Sequence, residues 1–144
     1  MVIGYTTGVF DLFHYGHVRL LRNAKQMCDK LIVGVTIDEL VQYKGKSPVI
    51  TFDHRIEVVR ACSYVDVAVP QSDMDKIKTM KKLNASILFV GDDWYESDKW
   101  REYEDAIKEM NGKVIYFPYT NSISSTKINK ILEERKNAIH HNNE

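Results

Sequence analysis

Residues 2–28, with the sequence VIGYTTGVFDLFHYGHVRLLRNAKQMC, contain the pattern that decides the fold. The apolar run VIGYT leads into TTG, and the segment that follows places Val18, Leu21, Ala24 and Cys28 at helical spacing. This order predicts a β-strand, a glycine turn and an α-helix. The turn also carries an aspartate and two histidines, polar groups that a hydrophobic core does not need.

Strand and helix patterns alternate along the rest of the chain. Further strands are predicted at residues 31–37, 65–70, 86–91 and 113–118, and further helices at 52–64, 74–83, 98–110 and 124–136. Most of the strand segments are continuous apolar runs, which is typical of strands that are buried on both faces. The sequence therefore predicts the α/β class, with a mostly parallel sheet that has helices on both faces.

Length and composition indicate one globular domain. The 144 residues are 44% hydrophobic and 28% charged, and no linker or repeat divides them. We expect a single domain over residues 1–136 and a polar C-terminal tail, residues 137–144, that frays. Twenty Lys and Arg balance twenty Asp and Glu, so the net charge of zero gives no overall positive field for nucleic acid or an anionic membrane.

The cysteines and the N-terminal residues favour a soluble cytoplasmic protein. Cys28 and Cys62 are far apart and lie in no CxxC or Cys/His pattern, so neither a disulfide framework nor a zinc knuckle is predicted. Residues 1–10 lack the positive region of a signal peptide, and no run of about 18 apolar residues is present to span a bilayer. We expect neither a nucleic-acid partner nor a membrane.

Four polar clusters follow predicted strands. They are TTGVFDLFHYGH at 6–17, KGK at 44–46, GDDW at 91–94 and YTNSISSTK at 119–127. In parallel α/β sheets the carboxyl ends of the strands form the ligand-binding edge. The segment 41–51 around KGK is the longest without helical or strand character, so it is predicted to be a mobile loop over the site.

The first cluster is suited to binding either an anion or a metal ion. Gly8 lets the backbone turn closely around a ligand, and Gly16 and His17 begin the next helix, whose free N–H groups form an anion site. The imidazoles of His14 and His17 can donate hydrogen bonds to phosphate oxygens. The alternative is a metal site with Asp11, His14 and His17 as three ligands. The spacing leaves both interpretations open.

The cluster before the last helix also has two explanations. Ser124, Ser125 and Thr126 stand where a helix should begin, and hydroxyl side chains commonly cap helices at that position. Three hydroxyls in a row also suit a polyphosphate held by hydroxyls and free amides, with Lys127 nearby.

Besides Lys127, three positively charged residues belong to the predicted site. Lys44 and Lys46 flank Gly45 in the loop; such lysines are commonly solvated, but a triphosphate needs mobile positive charge that the chain does not concentrate elsewhere. Arg55, in DHR at a helix start, is either a second phosphate anchor or an ordinary exposed residue.

These residues carry a resemblance to a known superfamily. GVFDLFHYGH resembles the HxGH signature of the nucleotidyltransferases, and SISSTKI resembles a second signature that cytidylyltransferases write as RTEGISTT. Together with GDDW, DHR and YVDVAVP, the motifs resemble glycerol-3-phosphate cytidylyltransferases from residue 2 to about residue 132. The resemblance implies a Rossmann-like α/β fold, a homodimer, and transfer from CTP to a phosphorylated alcohol to give a CDP-alcohol and pyrophosphate.

The resemblance also implies roles for individual residues. In such a transfer the substrate phosphate attacks the α-phosphorus of CTP in line, and catalysis is mostly positioning and charge stabilisation. His14 and His17 would bond the phosphates in the transition state as ligands of phosphate and not of a metal, and Lys44 and Lys46 would neutralise the α-phosphate and the incoming phosphate. Ser124, Ser125 and Thr126 would hold the β and γ phosphates, with Mg²⁺ sharing that charge.

The remaining predicted site residues line the nucleotide or the acceptor. The nucleotide-binding set is completed by Thr7, Gly8, Val9, Phe10, Asp11, Gly16, Arg55, Gly91, Asp92 and Tyr119. The substrate-binding residues are Asp38, Asp93 and Trp94. Mg²⁺ is predicted to arrive with CTP, with no protein side chain as a direct metal ligand.

Departures from the family pattern leave alternatives. Tyr119 and Ser63 stand where relatives have arginines that belong to phosphate binding, so another phospho-alcohol or a phosphonate is an alternative acceptor. An adenylyltransferase of the FMN type is a second alternative, although its ISSTxIR pattern has arginine where this chain has Asn129. A non-catalytic nucleotide-binding homologue is a third, and a zinc hydrolase built on the metal set named above is a fourth.

Overall fold

Five parallel strands form one sheet in the computed structural model, which describes residues 1–43, 45, 47–91, 99–118 and 125–142. The strands are β1 (Ile3–Gly8), β2 (Lys30–Thr36), β3 (Val67–Gln71), β4 (Ile87–Gly91) and β5 (Lys113–Phe117). The helices are α1 (Tyr15–Lys25), α2 (Asp38–Tyr43), α3 (Phe52–Ala61), α4 (Lys76–Leu83), α5 (Trp100–Glu109) and α6 (Ser125–Asn142).

The strand order is β3-β2-β1-β4-β5, and every neighbouring pair is parallel. The predicted α/β class with a mostly parallel, Rossmann-like sheet is confirmed. The reason is visible in β2, where all residues from Leu31 to Thr36 are buried, because helices cover both faces of the central strands.

Two apolar clusters, one on each face of the sheet, form the core. On one face Val33 and Phe89 of the sheet pack with Leu21 of α1 and Val59 of α3. On the other face the core consists of Tyr5, Ile32 and Leu88 of the sheet with Met80 of α4 and Ile107 of α5. Within the part of the chain that the structure describes, no helix is both long and apolar enough to cross a membrane.

Two helices differ from the sequence prediction. The segment 41–51 is predicted to lack helical character, but its first residues belong to α2, a six-residue helix too short to give a periodic signal. Val41 of α2 is buried at 3% exposure, which fixes this helix on the core. The tail from residue 137, which the sequence predicts to fray, is part of α6 as far as Asn142. The segment 125–142 contains no glycine or proline that would end the helix earlier.

Gly34 is required where β2 passes β1. A Cβ at this position would lie 2.6 Å from the Tyr5 hydroxyl oxygen and 3.2 Å from Thr7 Cγ2. We therefore expect Gly34→Ala to lower the free energy of unfolding by about 1–3 kcal/mol, the usual cost of overpacking. Urea denaturation measures this, with exposed Ser72→Ala as a control that should stay within about 0.5 kcal/mol of the parent. An unchanged midpoint for Gly34→Ala would contradict the close approach.

Candidate active site

The site lies at the carboxyl edge of the sheet, where the strand order reverses. β2 and β3 extend the sheet on one side of β1, and β4 and β5 extend it on the other, so the connections diverge between β1 and β4. Such a switch point opens the crevice in which α/β sheets bind ligands. Here the Thr6 hydroxyl donates to the Phe89 carbonyl at 3.0 Å, and Gly91 ends β4. Thr7 and Gly8 end β1 at the same edge.

Two non-glycine residues in the left-handed conformation shape the loop after β1. Phe10 and Leu12 have φ angles of 54° and 49°, a region that costs such residues about 1–3 kcal/mol each. Gly8, which is predicted to let the backbone turn closely around a ligand, is the last residue of the strand, and the left-handed positions follow it. A Cβ on Gly8 would lie 2.9 Å from the Phe10 ring, so the glycine makes room for that ring.

His14 and His17 begin α1 with a reciprocal pair of hydrogen bonds. His14 is the N-cap residue, and its Nδ1 accepts from the Gly16 backbone N–H at 3.0 Å. His17 Nδ1 accepts from the His14 backbone N–H at 3.2 Å. This is a capping box formed by two imidazoles, and it places the rings 4.0 Å apart between centroids. The structure therefore brings the two predicted catalytic histidines together.

The capping bonds determine which nitrogen of each neutral ring is protonated. A ring nitrogen that accepts from an N–H carries no proton, so His14 and His17 both carry their hydrogen on Nε2. Among the described residues, the buried His14 Nε2 has no hydrogen-bond partner. A buried donor without a partner costs about 1–3 kcal/mol, and an anionic oxygen would remove that cost. The start of α1 is thus prepared to donate hydrogen bonds to an anion.

Aromatic packing keeps the imidazole of His17 away from water. Phe13 stacks on it, and Phe10 meets it edge-on, each with ring centroids 5.3 Å apart. Burial, with a smaller contribution from His14, lowers the pKa of His17 to about 4 against the opposing effect of Asp11. Burial also lowers the pKa of His14. Phe13 is missing from the predicted site, although its position inside the signature is a signal that could have found it.

Asp11 contacts the protein backbone. Its two carboxylate oxygens accept from the amides of Val49 and Ile50, at 2.7 and 2.9 Å. Asp11 is only 9% exposed, and these contacts differ from the predicted role in nucleotide binding. They also disfavour the alternative metal set, because backbone amides already occupy both carboxylate oxygens and the Nδ1 atoms of both histidines. The described residues contain no group of three or more His, Cys, Asp or Glu arranged for a metal ion.

Arg55 is not an ordinary exposed residue, and the described contacts of its side chain are with protein groups and differ from those of the alternative, a second phosphate anchor. Its side chain is fully buried and donates to the carbonyls of Ile50, Val9 and Thr36. Its Nη2 pairs with Asp38 at 2.7 Å. The prediction of Asp38 as a substrate ligand is likewise not what the structure shows, because its other oxygen accepts from an α3 amide at 3.2 Å. Sequence reasoning recognised the residue types but not their protein partners.

Many predicted site residues lie outside what the structure describes. The residues with no described placement are Lys44, Lys46, Asp92, Asp93, Trp94, Tyr119 and Ser124. Ser125 and Thr126 are the first residues of α6, without described side chains. The described part of the predicted site therefore consists of residues from Thr7 to His17, together with Asp38, Arg55 and Gly91.

The chain is similar in sequence and in fold to known proteins. A model of the cytidylyltransferase-like family matches residues 5–131. The chain is 37% identical over 126 residues to a glycerol-3-phosphate cytidylyltransferase of Bacillus spizizenii, which covers 87% of this chain and 92% of that protein. It is 33% identical over 131 residues to an FAD synthase of Thermococcus sibiricus, and the match covers 90% of this chain and 88% of that protein. The solved structure of a lipopolysaccharide core biosynthesis protein from Thermoplasma volcanium GSS1 superposes with a TM-score of 0.69 at 26% identity. The match covers 83% of this chain and 97% of that chain.

Proposed function

Because this chain belongs to the cytidylyltransferase-like family, whose relatives are named as nucleotidyltransferases, we propose that it transfers the cytidylyl group of CTP to a small phosphorylated alcohol. Glycerol 3-phosphate is the acceptor we place first, since the relative with 37% identity is named for it. The observation that carries the proposal is the pair of imidazoles at the start of α1, held neutral with Nε2–H outward from the cap.

The proposed reaction is a single in-line displacement at phosphorus. A phosphate oxygen of the acceptor attacks the α-phosphorus of CTP, and the bond from that phosphorus to the β-phosphate bridging oxygen breaks. Pyrophosphate leaves with the electron pair. His14 and His17 donate Nε2 hydrogen bonds to oxygens on which negative charge grows, and the dipole of α1 acts in the same direction.

Residues outside the described part complete the proposed site. Lys44 and Lys46 are assigned to the α-phosphate and the incoming phosphate, and the hydroxyls of residues 124–126 to the β and γ phosphates. Mg²⁺ is proposed to enter with the triphosphate and to share its charge. Asp11, the carboxylate of the signature loop, has both oxygens on backbone amides, which fits an ion held by phosphate oxygens and water. A cytoplasmic homodimer is part of the proposal, and sedimentation analysis tests the dimer.

An FMN-directed adenylyltransferase is the second candidate. It is supported by the FAD synthase of Thermococcus sibiricus, at 33% identity almost as similar as the cytidylyltransferase. Tyr119 and Ser63 also lack the charge that the cytidylyltransferase pattern has at these positions. A homologue that binds nucleotide without turnover is the outcome if neither acceptor reacts.

Pyrophosphate release distinguishes these candidates. CTP and ATP are each offered with Mg²⁺ and with glycerol 3-phosphate, other small phospho-alcohols, phosphonates or FMN. We expect turnover with CTP and a phospho-alcohol, and its loss in His14→Asn. Turnover with ATP and FMN instead would establish the second candidate. Nucleotide binding by calorimetry without any turnover would leave a binding protein.

A further inference from the structure

Side chains from the loop after β1, from α2 and from α3 itself hold the backbone that enters α3. Asp11 accepts from the amides of Val49 and Ile50, and Asp38 accepts from the amide of Phe52. Arg55 donates to the carbonyl of Ile50 at 2.8 Å. The hydroxyl of Thr51, the N-cap residue of α3, makes no capping bond and donates instead to Asp53. Segment 49–52 therefore depends on three charged side chains, which we call the latch: Asp11, Asp38 and Arg55.

The latch also joins this segment to the histidine loop. Arg55 Nη1 donates to the Val9 carbonyl at 2.6 Å and to the Thr36 carbonyl at 2.8 Å. With its Nε and Nη2 bonds, the guanidinium uses four N–H groups on protein acceptors. The loop after β1 and the region at the start of α3 are thus joined twice. Asp11 of the loop binds the amides of Val49 and Ile50, and Arg55 of α3 binds the carbonyl of Val9 in the loop.

The cost of this arrangement argues for a purpose beyond stability. Burying a guanidinium and a carboxylate is expensive, and an apolar pair of similar size is commonly as stable. Asp11 also lies between Phe10 and Leu12, both in the left-handed region, so the turn that aims its carboxylate is itself strained. Strain of this kind persists where the surrounding structure fixes a functional geometry.

We propose that Asp11 and Arg55 are positioning residues, which hold segment 49–52, the segment that follows Lys44 and Lys46 in the chain, at a fixed place relative to the loop of His14 and His17; this rests on the function proposed above. The lysines lie in the sequence between two fixed points. On one side is α2, with Val41 buried at 3% exposure, and on the other is segment 49–52. Releasing segment 49–52 removes one of these two fixed points, and a misplacement of about 1 Å far from the reacting atoms can cost about 10²-fold in rate.

Asp11→Asn tests the latch because both oxygens of Asp11 face N–H donors. The amide group of asparagine must turn its NH₂ toward one of them. We expect kcat/KM for CTP to fall by about 10–100-fold, mainly through kcat. Asp66→Asn is the control with the same change of charge, since Asp66 accepts from the Leu31 amide at the opposite end of the sheet, at 2.7 Å. It should retain the parent activity.

A double-mutant cycle separates positioning from direct binding. If Asp11 acts through the lysine segment, Asp11→Asn should cost less than about threefold in a Lys46→Ala background, because neighbouring effects on one unit are not additive. Equal losses in both backgrounds would overturn the proposal and make Asp11 a direct ligand. Arg55→Lys, which keeps the charge but not the carbonyl bonds, is the second variant and should behave in the same way.

Backbone hydrogen exchange provides a readout that does not need turnover. We expect the amides of Val49 and Ile50 to exchange at least tenfold faster in Asp11→Asn than in the parent, and to be unchanged in Asp66→Asn. Unchanged protection in Asp11→Asn would overturn the latch itself. If the parent chain shows no transferase activity but exchange responds as expected, the proposed function fails while the latch between the two segments stands.

Discussion

Replacing His14 with asparagine is expected to lower kcat/KM for the proposed transfer by about 10²–10³-fold, without lowering the free energy of unfolding by more than about 0.5 kcal/mol. Asparagine is among the best N-cap residues, so its side chain can still accept from the Gly16 amide. It cannot replace the Nε2–H that His14 directs away from the cap. The loss therefore measures the donor to the transition-state phosphate without the helix cap.

His14→Ala separates the two roles of this residue. Alanine removes the donor and the cap together, so the loss in kcat/KM should match that of His14→Asn, with an additional loss of about 1 kcal/mol in the free energy of unfolding. Steady-state pyrophosphate release and urea denaturation measure the two quantities. Near-parent activity of His14→Asn would contradict the donor role, and equal stability of the two variants would contradict the capping role.

The fold could be predicted from the sequence because its signals are local. The continuous apolar run at 31–37 indicates a strand buried on both faces, and β2 is such a strand. The alternation of strands with helices then leaves few arrangements other than a parallel sheet. Two helix features were not predicted because their sequence signals are weak. Helix α2 is too short for a periodic pattern, and α6 has no residue that marks its end.

The sequence predicts which types of residue form the site and that they lie at the carboxyl edge of the sheet. The order of GVFDLFHYGH after a strand places Asp11 and His14 at the carboxyl ends of the strands, where they lie. The sequence does not show that Asp11 binds amides 38 and 39 positions away, or that Arg55 is buried by carbonyls from three segments. A charged residue at a ligand-binding edge has the same sequence signature whether its partner is a phosphate or the backbone that supports the site.

The free energy of unfolding is expected to fall as the pH is lowered, over a range that is set by the pKa of His17. Its pKa is about 6.5 when unfolded and about 4 when folded, so the unfolded chain binds more protons between these values. The free energy of unfolding should therefore fall as the pH is lowered from about 6.5 to about 4, by on the order of 2 kcal/mol at pH 5. The lowered pKa of His14 acts in the same direction.

His17→Gln isolates this effect because glutamine at the third helical position can still accept from the N-cap amide. Urea denaturation of the parent at several pH values should show the decline, and the variant should lose most of it. Asp66, whose pKa is lowered from 3.8 by Lys25, contributes stability that is lost only at more acidic pH, so it does not obscure the window. A decline of equal size in His17→Gln would mean that the imbalance in proton binding lies elsewhere, and that His17 is not held neutral by Phe10 and Phe13.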